Sequence, residues 1–246
     1  MALLEVKNIN AGYGKKQVLY DISFEVAQGD IVLLIGSNGS GKSTLLKAIY
    51  GLLPLWNIAQ ENSSDDGESG IYFNGENITN LPASRLLQKG LLYIPQQNNL
   101  FADLTVKENL EMAGLTLANR RVLQQRIENA LNIFPALVPH LKRTPMKLSG
   151  GERNLLTLAM ATLHQPKMIL IDEPFNGLSP QNIGFVRGNL KTLNEKEDIT
   201  FLIVEHRIKE SYIITRKIIS LKLGKVYGIE DVNSEFDIEK FQVVFV

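Results

Sequence analysis

Three short stretches of this 246-residue chain carry side chains suited to chemistry on phosphate. The first is Gly36, Ser37, Asn38, Gly39, Ser40, Gly41, Lys42, Ser43 and Thr44, which holds the spacing Gly-x4-Gly-Lys-Ser. Glycines at those intervals let backbone N–H groups turn inward around phosphate oxygens, and a helix opening near Lys42 adds its positive dipole end. Lys42 supplies a mobile point charge for the outer phosphates, and the Ser43 hydroxyl a hard oxygen for Mg2+. The second stretch is Asp172 and Glu173, two carboxylates that follow the apolar run Met168–Ile171. Asp172 suits the Mg2+ shell, and Glu173 suits general-base work on a water molecule. The third is Leu148-Ser149-Gly150-Gly151-Glu152. Ser149 can cap a helix running to about Leu163, and the two glycines let a phosphate approach that helix end.

The elements that must hold these groups are legible around them. Ile31–Ile35 is a continuous apolar run closed by glycine, the pattern of a strand buried on both faces. After Lys42 the spacing turns helical, with Leu45, Leu46, Ala48, Ile49 and Leu52 on one stripe. Met168–Ile171 and Thr200–Val204 read as two more buried strands, separated by a helix from about Gln181 to Leu193. Leu91–Pro95 is a short strand, and Leu3–Val6 and Val18–Val26 look like strands near the start, with turn signals at Gly12-Tyr13-Gly14 and Gly29-Asp30. Residues 105–165 read as mostly helical, with turns at Phe134-Pro135, Val138-Pro139 and Thr144-Pro145. Strands alternating with helices imply a parallel α/β sheet, and carboxylates at the carboxyl edge of such a sheet sit where ligands bind.

Taken with Tyr93-Ile-Pro-Gln96 and Val204-Glu-His206, these blocks resemble the ATP-binding cassette ATPases over nearly the whole chain. The resemblance implies an ATP- and Mg2+-dependent ATPase with a phosphate-loop NTPase core, an N-terminal antiparallel β subdomain and an inserted helical subdomain. It implies one cassette over 1–246, with residues 1–96 and 166–246 as the nucleotide-binding core and 97–165 as the helical subdomain. By the same resemblance Gln96 contacts Mg2+ or the attacking water, His206 contacts the γ phosphate, and Tyr13 packs against adenine. A turn tyrosine is the other reading of Tyr13. The Ser149-Gly150-Gly151 end would face ATP held on a second chain in a head-to-tail homo- or heterodimer. His140 and His164 match nothing and read as structural or surface residues.

Some positions depart from the pattern. Ser179, in Gly177-Leu-Ser-Pro180, stands where most members have aspartate. ATPases of branched-chain amino-acid uptake often differ there too, and Phe101-x-x-Leu-Thr-Val-x-Glu-Asn-Leu110, Asn80-Leu-Pro82 and Phe134-Pro-x-Leu137 also look like that group. Leu155 and Met160 replace arginines common in this helix; the resemblance places them near the dimer or lobe interface, where they bear on the strength of closure and not on the hydrolytic chemistry. A polar stretch at 57–70 looks about a dozen residues longer than usual, and Trp56 opens it, either pinning the loop to the core or meeting a partner. The tail Phe236–Val246 matches no regulatory domain.

Composition narrows the classes. Twenty-six basic residues balance 26 acidic ones, so no net field favours nucleic acid. With no cysteine, disulfides, thiolate metal sites and cysteine nucleophiles are excluded. No apolar run nears the ~20 residues that cross a bilayer, and the first residues lack a signal-peptide pattern. The expectation is a cytoplasmic chain, peripheral on the inner face of the membrane through a separate transmembrane permease. The alternative is a soluble cassette ATPase of the iron–sulfur assembly type, whose members lack the Leu104–Leu110 block. A chromosome ATPase would need a long heptad segment, and none is present.

Overall fold

The computed structural model describes residues 2–56, 69–97 and 99–232. Two long strands, β1 (Ala2–Tyr13) and β2 (Lys16–Ala27), form an antiparallel hairpin closed at Tyr13 and Lys16. Both run past the strands read at Leu3–Val6 and Val18–Val26, β1 by much the more. Asn8 and Asp21 adopt positive φ, and the register shifts between Val6 and Ile9 and between Ile9 and Ala11. Such bulges break the period-2 pattern that a strand is read by, while pairing continues past them.

After β3 (Ile31–Ile35) the loop 36–41 leads into α1 (Lys42–Ile49). The short β4 (Leu55–Trp56), β5 (Gly70–Phe73) and β6 (Glu76–Asn77) complete the antiparallel sheet, in the order β2-β1-β5-β6 with β4 also on β1. Trp56 pairs with Asn10 and is half-buried, so it belongs to this sheet. The insertion it opens lies almost wholly outside the described residues, as does the tail from 236.

Helix α2 (Ala83–Lys89) and β7 (Leu91–Ile94) follow, then α3 (Val106–Ala113), α4 (Arg120–Ile133) and α5 (Gly150–Thr162). Between α4 and α5 the prolines at 135, 139 and 145 hold the chain in short 3-10 turns. The last part runs β8 (Met168–Asp172), α6 (Pro180–Glu197), β9 (Thr200–Val204), α7 (Ile208–Ser211), β10 (Lys217–Lys222) and β11 (Lys225–Asp231). The second sheet has the order β11-β10-β3-β9-β8-β7, parallel except for the β10–β11 hairpin.

Every residue of β3, β8 and β9 is buried, because each strand is covered on both faces. Alternate residues feed two cores. Ile31, Leu33 and Ile35 pack with Val106, Leu110, Leu155, Leu158 and Val186 of the helices. Val32 and Leu34 pack with Leu45 and Ile49 of α1 and with Leu4, Ile22 and Phe24 of the antiparallel sheet. The helical block thus shares one core with the sheet instead of building its own. Leu155 lies in that shared core at 1% exposure, where the helical block meets the sheet, so it stands at the boundary of the two subdomains as packing. Leu52 was expected on the α1 stripe, yet the helix ends at Ile49, the chain turns at Gly51 with φ +66, and Leu52 is 54% exposed.

The loop before α3 shows why Leu-Thr-Val-x-Glu-Asn-Leu has its residue types. Thr105 and Glu108 form a reciprocal capping box on α3. Asn109, fully buried, accepts from Phe101 N (2.8 Å) and donates to the carbonyls of Phe101, Leu104 and Thr105 (3.0–3.1 Å). No helix among the described residues is long and apolar enough to cross a membrane.

Candidate functional site

The phosphate loop joins the end of β3 to α1, so it emerges at the carboxyl edge of the parallel sheet. Its glycines are required by shape. A Cβ on Gly36 would lie 2.3 Å from Leu221 O and 2.6 Å from Ser40 Oγ. Gly41, the residue before α1, has φ +104, a conformation that side-chain-bearing residues avoid. No side chain caps α1, whereas Thr105, Asn119, Ser149 and Ser179 cap α3, α4, α5 and α6. The opening N–H groups of α1 are left to an anion. Lys42 is buried and its Nζ donates to Gly36 O (2.9 Å) and Ser37 O (3.0 Å), anchoring it across its own loop. An ammonium has three donors, which leaves one beyond the loop. Burial lowers the Lys42 pKa, and the negative charges of Glu173 and Asp172 oppose that shift.

Asp172 ends β8, two strands away from β3, and is 5% exposed. Burial raises its carboxyl pKa, and a hydrogen bond from Ser43 opposes that. Its Oδ1 is buried with no hydrogen-bond partner, while Oδ2 lies 3.5 Å from the Tyr93 hydroxyl. Burial, then the Asp172 charge, pushes the Tyr93 hydroxyl pKa up, so it remains a donor. An orphaned carboxylate oxygen beside a serine hydroxyl and a phosphate loop fits Mg2+, which takes one or two carboxylates plus phosphate oxygens. Among the described residues no group of three or more His, Cys, Asp or Glu could hold a metal, so no all-protein cage competes with this set.

At Glu173 two of the expected groups, Gln96 and His206, meet. Its backbone has φ +49, rare for a side-chain-bearing residue, and its N–H is held by Val204 O of β9 at 2.9 Å. Its Oε2 accepts from Gln96 Nε2 (2.5 Å) and Asn176 Nδ2 (3.1 Å), and its Oε1 lies 2.9 Å from His206 Nε2. Gln96 follows β7 and His206 follows β9, so three strand ends deliver one cluster.

Glu205 was not singled out from the sequence. It is 2% exposed, and its carboxylate accepts from the backbone N–H of Phe175 (2.6 Å), His206 (3.0 Å) and Arg207 (3.4 Å). Burial raises its carboxyl pKa against those three hydrogen bonds. A glutamate beside a histidine carries no sign of burial; the one available signal was its place directly after a five-residue apolar strand.

Ser149 caps α5 through its hydroxyl on Glu152 N (3.2 Å), and Glu152 returns to Ser149 N (2.7 Å). Among the described residues no hydrogen bond or ion pair links Ser149, Gly150 or Gly151 to residues 36–44. Gly150 does line a cavity of about 260 Å3 with Gln96, Asp172, Glu173 and Asn176. Tyr13, at the hairpin tip, is 48% exposed, a ring presented to solvent. Ser179 caps α6 and Pro180 takes its first position, so serine does the capping work here. His164 Nε2 is 2.9 Å from Ala113 O, and His140 Nε2 pairs with Glu152 at 3.0 Å; both are structural.

A parallel sheet whose carboxyl edge joins a glycine phosphate loop to a strand-end carboxylate pair defines a phosphate-loop nucleotide-binding protein. The ABC transporter family profile matches residues 19–176. The chain is 34% identical to a probable branched-chain amino acid transport ATP-binding protein, LivF, of Archaeoglobus fulgidus, over 98% of this chain and 97% of that one. It is 32% identical to the lipopolysaccharide export system ATP-binding protein LptB of Haemophilus influenzae, over 92% and 89%. Among solved structures it superposes on an ATP-binding cassette in its ADP conformation with TM-score 0.83 and 27% identity, over 96% and 93%. A dimeric cassette in a post-hydrolysis state, bound to ADP and Pi, matches with TM-score 0.75 and 25% identity, over 94% and 99%. The chain belongs to the ABC transporter family. It is an ATP-hydrolysing, nucleotide-binding subunit that uses ATP with Mg2+.

Proposed function

We propose that two such cassettes, identical or related, close head to tail on ATP and drive cargo through a separate permease. In this reading the loop 36–44 and Lys42 hold the phosphates, and Tyr13 stacks on adenine. Ser43, Asp172 and Gln96 hold the metal, and the Ser149-Gly150-Gly151 end of α5 meets phosphates on the other chain. Mg2+, when bound, neutralises charge on the outer phosphates. Glu173 takes a proton from the attacking water, and His206 orients the reacting group. The observation that carries the reading is the convergence of Gln96 and His206 on Glu173, next to the Ser43–Asp172 pair.

An apolar groove of about 320 Å3, lined by Tyr50, Leu92, Tyr93, Pro95, Ala113 and Met160 among others, supports a permease docking site. It lies between β7 and the helical block, so rotation of 97–165 against 1–96 and 166–246 would be felt there. Docking would hold the cassette on the inner face of the membrane. The Ser179-Pro180 turn and the Phe101–Leu110 block support branched-chain amino-acid uptake as the transport process.

The test is Glu173→Gln. Turnover should fall about 10²–10⁴-fold, the usual span for a general base, with ATP binding retained. Light scattering should then show a doubled mass with ATP. Wild-type turnover in the variant would remove Glu173 from the base role.

A further inference from the structure

The Pro174–Phe175 peptide unit, one residue beyond Glu173, is gripped from both sides. Its carbonyl, Pro174 O, accepts from Asn154 Nδ2 of α5 at 2.8 Å. Its N–H, on Phe175, donates to Glu205 Oε1 at 2.6 Å. Because a peptide is planar, two bonds on opposite edges fix its rotation and so anchor the chain on the far side of Glu173, whose own N–H is held by Val204 O. The second oxygen, Glu205 Oε2, accepts from the N–H groups of His206 and Arg207. One buried carboxylate therefore joins the segment bearing Glu173 to the segment bearing His206, whose side chains meet at 2.9 Å.

The residue type fits that task and little else. Among the described residues no cation forms an ion pair with Glu205. A buried charge without an opposite charge is costly, and an apolar side chain would fill the same space more cheaply. Two oxygens, each able to accept more than one N–H, match three donors on two segments. Glutamine would turn its NH2 toward one of those N–H groups.

We propose that Glu205 is a positioning residue for hydrolysis: it sets the Glu173–His206 contact through the backbone. Asn154, on the other edge of the same peptide, makes that contact answer to the position of α5. This rests on the roles proposed above for Glu173 and His206.

The experiment compares the full-length chain with Glu205→Gln, His206→Ala and the double variant, measuring kcat, ATP affinity and Tm. Glu205→Gln should lower kcat about tenfold to a hundredfold, the scale of a misplaced catalytic group, with ATP affinity within about twofold of wild type. In the His206→Ala background it should cost less than about twofold more, because the contact it sets is already gone. Asn154→Ala should lower kcat in the same direction. Wild-type turnover in Glu205→Gln, a loss that multiplies in full with His206→Ala, or an equal loss of ATP affinity would overturn the proposal. If Glu205→Gln does not fold, the same cycle run with Asn154→Ala and His206→Ala decides by the same criterion. If Glu173→Gln and His206→Ala themselves turn over normally, the underlying roles fail. If those two lose turnover and Glu205→Gln does not, only the positioning role fails.

Discussion

At the scale of single residues, the site sets buried carboxylates against the phosphate loop. Asp172 is the clearest case: buried, with one oxygen orphaned and its pKa raised by desolvation. A carboxyl whose pKa is higher in the folded than in the unfolded chain binds its proton more tightly when folded. It therefore weakens the nucleotide-free protein above its folded pKa, and that penalty disappears as pH falls below its unfolded pKa. Asp172→Asn should raise the Tm of the nucleotide-free chain near pH 7.5, and the gain should shrink as the melts are moved to acid. The same variant should lose Mg2+-dependent turnover. A Tm below wild type at every pH would show that the carboxylate stabilises the fold. The placement of Lys42, Ser43, Asp172 and Glu173 is legible in the sequence, because spacing and the apolar strands before them mark these residues. That of Glu205 is not, since burial of a carboxylate is decided by where two distant segments meet, Phe175 and His206.

At the scale of elements, side chains that look like surface turn residues do the aligning. Asn109 uses one amide to tie the chain at Phe101, Leu104 and Thr105 to α3. Asn109→Ala leaves those backbone groups without their partner and should cost about 1–3 kcal/mol. For a chain of this size each kcal/mol lowers Tm by about 2–4 °C. Thermal melts check the magnitude, and limited proteolysis should cut first between 101 and 105. The buried strands β3, β8 and β9 could be read from their apolar runs because a strand covered on both faces needs no alternation. Strand β1 extends well past its Leu3–Val6 pattern because Asn8 breaks the alternation without ending the pairing. Helix α1 was read long because Leu52 keeps the helical spacing after Tyr50 and Gly51 have turned the chain.

At the scale of the molecule, the phosphate loop and the α5 end are separate anion-binding ends carried by one chain. Ser149→Arg should abolish hydrolysis and leave ATP binding by isolated chains nearly intact, as measured by turnover and calorimetry. Parallel loss of both would place the two ends in one site. The sheet order has a different consequence, for synthesis. Strand β3 is flanked by β9 and β10, and its first partner along the chain, β9, ends at Val204. The backbone edges of β3 therefore wait for a strand partner through the making of some 170 further residues, although side-chain neighbours such as Leu45 and Val106 arrive much earlier. At the usual pace of translation that delay is roughly 10–30 s. For that time the nascent chain carries a strand with both edges unpaired, the kind of exposed pairing edge that makes long-range sheets slow to form and open to association with other chains.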